Sequence, residues 1–154
     1  MSTYTSLNYH IIFSTKYRKP RIDAALRDDL FAYIGGIIRG EKGHLIEIGG
    51  TPDHVHILAG FRPTMAVSSM LQHMKGNSSK WMNSEKRLQV KFEWQAGYGA
   101  FTVSMSQVPT VRKYIQTQEE HHSKLSFEDE FLAVLKRHNI DYDLRYVFET
   151  EHVG

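Results

Sequence analysis

Leu45-Ile46-Glu47-Ile48-Gly49-Gly50-Thr51-Pro52-Asp53-His54-Val55-His56-Ile57-Leu58-Ala59 reads as two short strands joined by a turn. The flanks, Leu45–Ile48 and His54–Ala59, are aliphatic, and Gly49 to Asp53 supply the turn chemistry. What surrounds this hairpin fixes the fold class. Upstream, Tyr4 to Thr15 is rich in β-branched and aromatic residues and reads as a strand closed by Pro20. Asp23 then caps a helix predicted from about Ala24 to Arg39, with Leu26, Leu30, Tyr33, Ile34 and Ile37 on one face and Gly40 and Gly43 as stops.

Downstream, Met65 to Glu85 carries Val67, Met70, Leu71, Met74 and Trp81 at helical spacing. Strands are expected near Val90–Gln95 and Tyr98–Ser106. A third helix is expected from Pro109, a favourable first-turn residue, to about His122. Ser126 with Asp129 opens a fourth, ending near His138, and Tyr142 to Phe148 reads as a last extended piece. Strand, helix, hairpin, helix and strands, then helices, is the order of an α+β ferredoxin-like antiparallel sheet with helices on one face and helical additions at the C-terminal end. No repeat or linker divides the 154 residues, so a single domain over 1–154 is expected.

The absence of cysteine excludes disulfides, thiolate metal sites and cysteine nucleophiles, so a metal would rest on histidine, carboxylate, amide or water. The first residues lack the basic and apolar regions of a signal peptide. No apolar run approaches the ~20 residues of a membrane span, and a cytoplasmic location is expected. A net charge of +2 says little about partners. Lys16, Arg18, Lys19 and Arg21 cluster around Tyr17, which suits either a phosphate backbone with a stacked base or a solvated basic loop.

His54-Val55-His56 is the sharpest local feature. Alternation along a strand puts both imidazoles on one face and Val55 with Ile57 on the other. Such a pair either chelates a divalent cation or is a half-exposed strand-edge pair. Tyr114 and Gln118, four apart on the third helix, also share a face. Either they supply a nucleophile and an amide ligand, or they are a core-boundary residue and its solvated neighbour.

Together with Val111-Arg112-Lys113-Tyr114-Ile115-Gln116-Thr117-Gln118, the histidine pair resembles the HUH single-tyrosine transposases of the insertion-sequence 200/605 class. Tyr9 to Arg18 resembles that family's first strand, and Trp94 to Phe101 its glycine-bracketed aromatic turn. Glu119-Glu120-His121-His122, Phe127 with Glu128 and Glu130, and Tyr142 to Phe148 match its closing region. Thr117 stands where asparagine is more usual.

The resemblance implies that the C-terminal helices carry a catalytic tyrosine, Tyr114. It makes His54, His56 and Gln118 ligands of Mg²⁺ or Mn²⁺. It also implies a homodimer that cleaves and rejoins single-stranded DNA beside hairpins through a 5′-phosphotyrosine, with Ser104 to Pro109 as a hinge. Lys16, Arg18, Lys19, Arg21, Lys75, Ser79, Lys80 and Arg87 are the candidate DNA contacts. Trp81 and Trp94 are expected in the core, and His121 and His122 are expected to complement a helix C-terminus. Three other readings stay open: a domesticated relative that processes repeated palindromes, a non-covalent metal phosphoesterase, and a DNA-binding module without catalysis.

Overall fold

The computed structural model describes residues 1–85 and 87–148. Four strands form one sheet: β1 (Asn8–Ser14), β2 (His44–Thr51), β3 (His54–Gly60) and β4 (Gly99–Thr102). Their order is β2-β3-β1-β4, and every neighbouring pair is antiparallel. With α1 (Ala24–Gly40) after β1 and α2 (Val67–Ser84) after β3, this is the ferredoxin-like arrangement. Asp23 caps α1, its carboxylate accepting from the Leu26 amide at 2.8 Å.

Side-chain alternation sorts the sheet into two faces. Ile11, Phe13, Val55, Ile57 and Ala59 pack against Leu26, Leu30, Ile34 and Ile38 of α1 and Met70, Leu71 and Met74 of α2. Burying each such large side chain contributes roughly 1.5–3 kcal/mol, so this seat decides the fold. The opposite face receives three C-terminal helices, α3 (Val108–Gln116), α4 (Gln118–His122) and α5 (Phe127–Arg137). There Leu58 meets Val103 and Ile115, and Ile12 meets Phe127, Val134 and Leu135. The central strands β1 and β3 are thus covered on both faces, which explains their nearly unbroken apolar runs.

Four expectations change. Residues 90–95 form no strand beyond a single bridge from Thr15 to Trp94. The Asn83 side chain donates to the Phe92 carbonyl at 3.0 Å and accepts from its amide at 2.8 Å, doing the work of a strand neighbour. The third helix breaks at Thr117 (φ −108°, ψ 25°), whose hydroxyl bonds back to the Lys113 carbonyl at 3.0 Å. Tyr142 to Phe148 pairs with no strand; Tyr142, Val147 and Phe148 pack on the apolar cluster around α5. Gly49 and Gly50 belong to β2, leaving Pro52-Asp53 as the turn. Among the described residues no helix is long and apolar enough to cross a membrane.

Candidate active site

β3 delivers His54 and His56 to the face that carries α3–α5, and both are fully buried. His54 Nδ1 lies 2.6 Å from Asp53 Oδ1 and 2.9 Å from Thr51 Oγ1. A carboxylate only accepts, so Nδ1 carries hydrogen and the ring is oriented with Nε2 facing inward. His54 Nε2 stands 3.0 Å from Gln118 Oε1. His56 turns Nδ1 to His10 Nε2 at 2.8 Å and Nε2 to Glu130 Oε1 at 3.0 Å.

Glu130 is the hub. The Tyr114 hydroxyl donates to its Oε2, as does Gln118 Nε2 at 3.1 Å. Its Oε1 receives His122 Nε2 at 2.9 Å and stands 3.4 Å from His54 Nε2. The helix break at Thr117 therefore does not separate Tyr114 from Gln118, since both reach one carboxylate. The tyrosine meets the histidines of its own chain, edge-on to His56 at 5.8 Å between ring centroids and stacked on His121 at 4.6 Å.

Glu130 carries no role in the sequence reading. Ser126 caps α5 by accepting from the Asp129 amide at 3.1 Å, and Phe127, Glu130 and Val134 line its buried stripe. A glutamate at i+3 and i−4 from apolar core positions is the available signal, because a buried carboxylate needs partners. His122 corrects an expectation: its ring points at Glu130 rather than at the carbonyls ending α4.

The electrostatics follow from this crowding. Burial works against charging His54, yet the hydrogen bonds to Asp53 and Glu130 raise it to about 9. Burial outweighs Glu130 at His56, pushing it down to about 4. Burial and then the His56 charge bring His10 to about 3. Burial opposes ionisation of Glu130, but the imidazoles of His54 and His56 hold it well below the usual carboxylate range. Burial and the adjacent Glu130 keep Tyr114 above an ordinary phenol. In this state the site is a charged carboxylate bonded to a neutral tyrosine.

Donor atoms of His54, His122 and Glu130 lie within 4.8 Å of one another. With His56 and the Gln118 oxygen they form a nitrogen- and oxygen-rich set that fits a divalent cation.

The other candidate residues divide. Lys16, Lys75 and Ser79 line one groove of about 630 Å³, with Asn83, Lys91 and Trp94. Lys75 donates to the carbonyls of Gln95 at 2.7 Å and Gly97 at 2.6 Å, and burial lowers its ammonium to about 8. Arg18 is held by Glu128 at 3.2 Å and by Gln95, and it covers the Phe148 ring. Arg87 pairs with Asp29 at 2.8 Å. Lys19, Arg21, Lys80 and Arg87 are not part of this groove lining. Trp94 packs edge-on to Phe13 and donates to Ser78, and Trp81 stacks on Tyr33.

A ferredoxin-like sheet presenting this site is the framework of a DNA-processing enzyme of the transposase class. The chain belongs to the IS200-like transposase family, whose sequence profile ("Transposase IS200 like") matches residues 3–118. It is 28% identical over 119 residues to the ISDra2 transposase TnpA of Deinococcus radiodurans, covering 74% of this chain and 85% of the relative. It is 29% identical over 124 residues to the transposase for insertion sequence element IS200 of Salmonella typhimurium, covering 77% and 80%. A crystal structure of a Deinococcus radiodurans protein assigned as a transposase superposes with a TM-score of 0.62 at 25% identity, covering 77% of this chain and 95% of that one. A REP-associated tyrosine transposase bound to a REP hairpin shares the fold, with a TM-score of 0.60 at 14% identity over 81% and 76% of the two chains.

Proposed function

We propose that this protein cleaves and rejoins single-stranded DNA beside hairpins, with Tyr114 as nucleophile and a divalent cation held by His54, His56 and Gln118. One observation carries the reading: the Tyr114 hydroxyl and the Nε2 atoms of His54 and His56 address the same buried carboxylate, Glu130. The nucleophile and the cation ligands are therefore one carboxylate apart. The hairpin in the structure of the REP-associated relative supports hairpin DNA as the substrate class.

The chemistry is a phosphoryl transfer that conserves bond energy. Tyr114 Oη forms a bond to the scissile phosphorus as the bond to the 3′-oxygen breaks. The phenol loses its proton, and the leaving oxygen gains one as a 3′-hydroxyl. A bound cation supplies charge stabilisation on the non-bridging oxygens. Asp53 and Thr51 fix the His54 ring, and His10 fixes His56, so both Nε2 atoms are aimed before substrate arrives. The phosphotyrosine keeps the energy of the cleaved bond, so a later 3′-hydroxyl reseals the strand without ATP.

The test is a labelled single strand carrying a hairpin and its flank, incubated with Mg²⁺ or Mn²⁺ and separated under denaturing conditions. A label-shifted protein band that disappears in Tyr114→Phe is the expected result. Cleavage without an adduct would point instead to water as the nucleophile and a metal phosphoesterase.

A further inference from the structure

The family match ends at Gln118. His122 and Glu130 lie beyond it, yet they complete the cluster around His54 and His56. We propose that Glu130 and His122 are themselves ligands of the cation, joining His54 in one donor set of two imidazoles and a carboxylate. The inference rests on the metal-dependent reading above and adds residues to it.

Three observations carry it. First, the donor atoms of His54, His122 and Glu130 lie within 4.8 Å of one another, close enough to share one ion. Two donors each ~2.1 Å from one ion and 90–109° apart stand roughly 3.0–3.4 Å from each other. Glu130 Oε1 is 2.9 Å from His122 Nε2, 3.0 Å from His56 Nε2 and 3.4 Å from His54 Nε2. Gln118 Oε1 is 3.0 Å from His54 Nε2.

Second, the hydrogen-bond count is unbalanced without a positive charge at the centre. Because His54 Nδ1 donates to Asp53, Nε2 faces two oxygens, Gln118 Oε1 and Glu130 Oε1, and needs either a proton or a shared cation to satisfy them. A bound cation takes the place of that proton.

Third, the carboxylate is only 2% exposed and anchored by its helix. Burying an ionised carboxylate is costly unless it is paired, and a divalent ion shared with His54 and His122 is a partner of the right sign. Oε1 then faces the ion while Oε2 keeps the Tyr114 hydroxyl and Gln118 amide. Glu130 thus fixes the nucleophile relative to the ion, and α5 becomes part of the site.

The experiment is Mn²⁺ binding to the full-length metal-free protein, without DNA, followed by calorimetry and by loss of the free-ion paramagnetic resonance signal. The wild type is expected to bind one Mn²⁺, with affinity at least tenfold weaker in Glu130→Gln and in His122→Asn. Glu128→Gln, two residues earlier in α5, half-buried and paired with Arg18 away from the cluster, should bind Mn²⁺ like the wild type. The melting temperature of each metal-free variant confirms folding, and His122→Asn decides the matter if Glu130→Gln does not fold. Equal Mn²⁺ affinity in the variants, with binding lost in His54→Ala, overturns this inference and leaves the parent reading intact. Tighter binding in Glu130→Gln also overturns it, since the carboxylate would then be an occupant that the ion displaces. No Mn²⁺ binding by the wild type overturns both.

Discussion

The carbonyl oxygen of Ile115 lies 2.5 Å from the point that a β-carbon on Gly49 would occupy. Helix α3 therefore rests on bare backbone of β2, and this close approach places Tyr114, the preceding residue, over the histidines. Gly49→Ala must push α3 outward. The expected cost is about 1–3 kcal/mol of stability, as for overpacking. Adduct formation should fall more than tenfold, because small misplacements of a reacting group are expensive. Gly36→Ala is the control: an exposed helical glycine with nothing within 4 Å of its added carbon. It should stabilise by about 0.4–1 kcal/mol. Thermal melts and adduct yields measured side by side check both, and a fully active Gly49→Ala would refute the seating argument.

The buried histidines predict how metal-free stability responds to pH. His10 and His56, lowered to about 3 and about 4, stay neutral in the fold, while the unfolded chain protonates them near ~6.5. Their contribution is complete above that value and is lost as pH falls from about 6.5 towards 4. His54, raised to about 9, has the opposite sign: its contribution is complete below ~6.5 and is lost as pH rises to about 9. Stability in the presence of a chelator should peak near neutrality and decline on both sides. The acid limb is worth on the order of 2 kcal/mol per neutral histidine at pH 5. His10→Asn should flatten that limb by about half, and an unchanged acid limb would show that His10 is not held neutral.

How far the sequence reached depends on whether each feature is local. Asp23, the α1 stripe and His54-Val55-His56 are local patterns that appear close to where periodicity puts them, although Ile38 rather than Ile37 completes the buried side of α1. The ferredoxin-like order was also legible, because element order restricts the topology. The break at Thr117 was not, since it comes from a hydroxyl competing for carbonyls inside a helical pattern. Nor was the irregular run at 90–95, where an asparagine side chain replaces a strand. Glu130 was the hardest to see. It is 74 residues from His56, and only the packing of α5 on Ile12 brings the two together.

The groove between α2 and residues 91–96 predicts a division of labour among its cations. Lys75 is occupied by two carbonyls and partly desolvated, so it braces the loop. Lys16 and Lys91 share the exposed carboxylate of Glu93, and such pairs are weak enough to exchange for phosphate. Lys16→Ala and Lys91→Ala should each weaken hairpin binding a few-fold and reduce the salt-dependence slope by about 1. Neither should change Mn²⁺ affinity. Binding titrations at several salt concentrations test this, and unchanged slopes in both variants would move the DNA elsewhere.

The donor set also predicts which cation works best. Mg²⁺ keeps most of its water and favours carboxylate and phosphate oxygens, whereas Mn²⁺, a larger and softer transition ion, gives up water for imidazole nitrogen more readily. Here His54, His56 and His122 each turn Nε2 to the charged oxygen of Glu130, Oε1. Mn²⁺ should therefore support half-maximal adduct formation at a concentration at least tenfold below that of Mg²⁺. A chelator should abolish the adduct, and either ion should restore it. Removing one imidazole in His122→Asn should narrow the gap between the ions, because the loss falls on the ion that uses nitrogen. Equal half-maximal concentrations in the wild type would mean that water and phosphate, not these three rings, fill most of the shell.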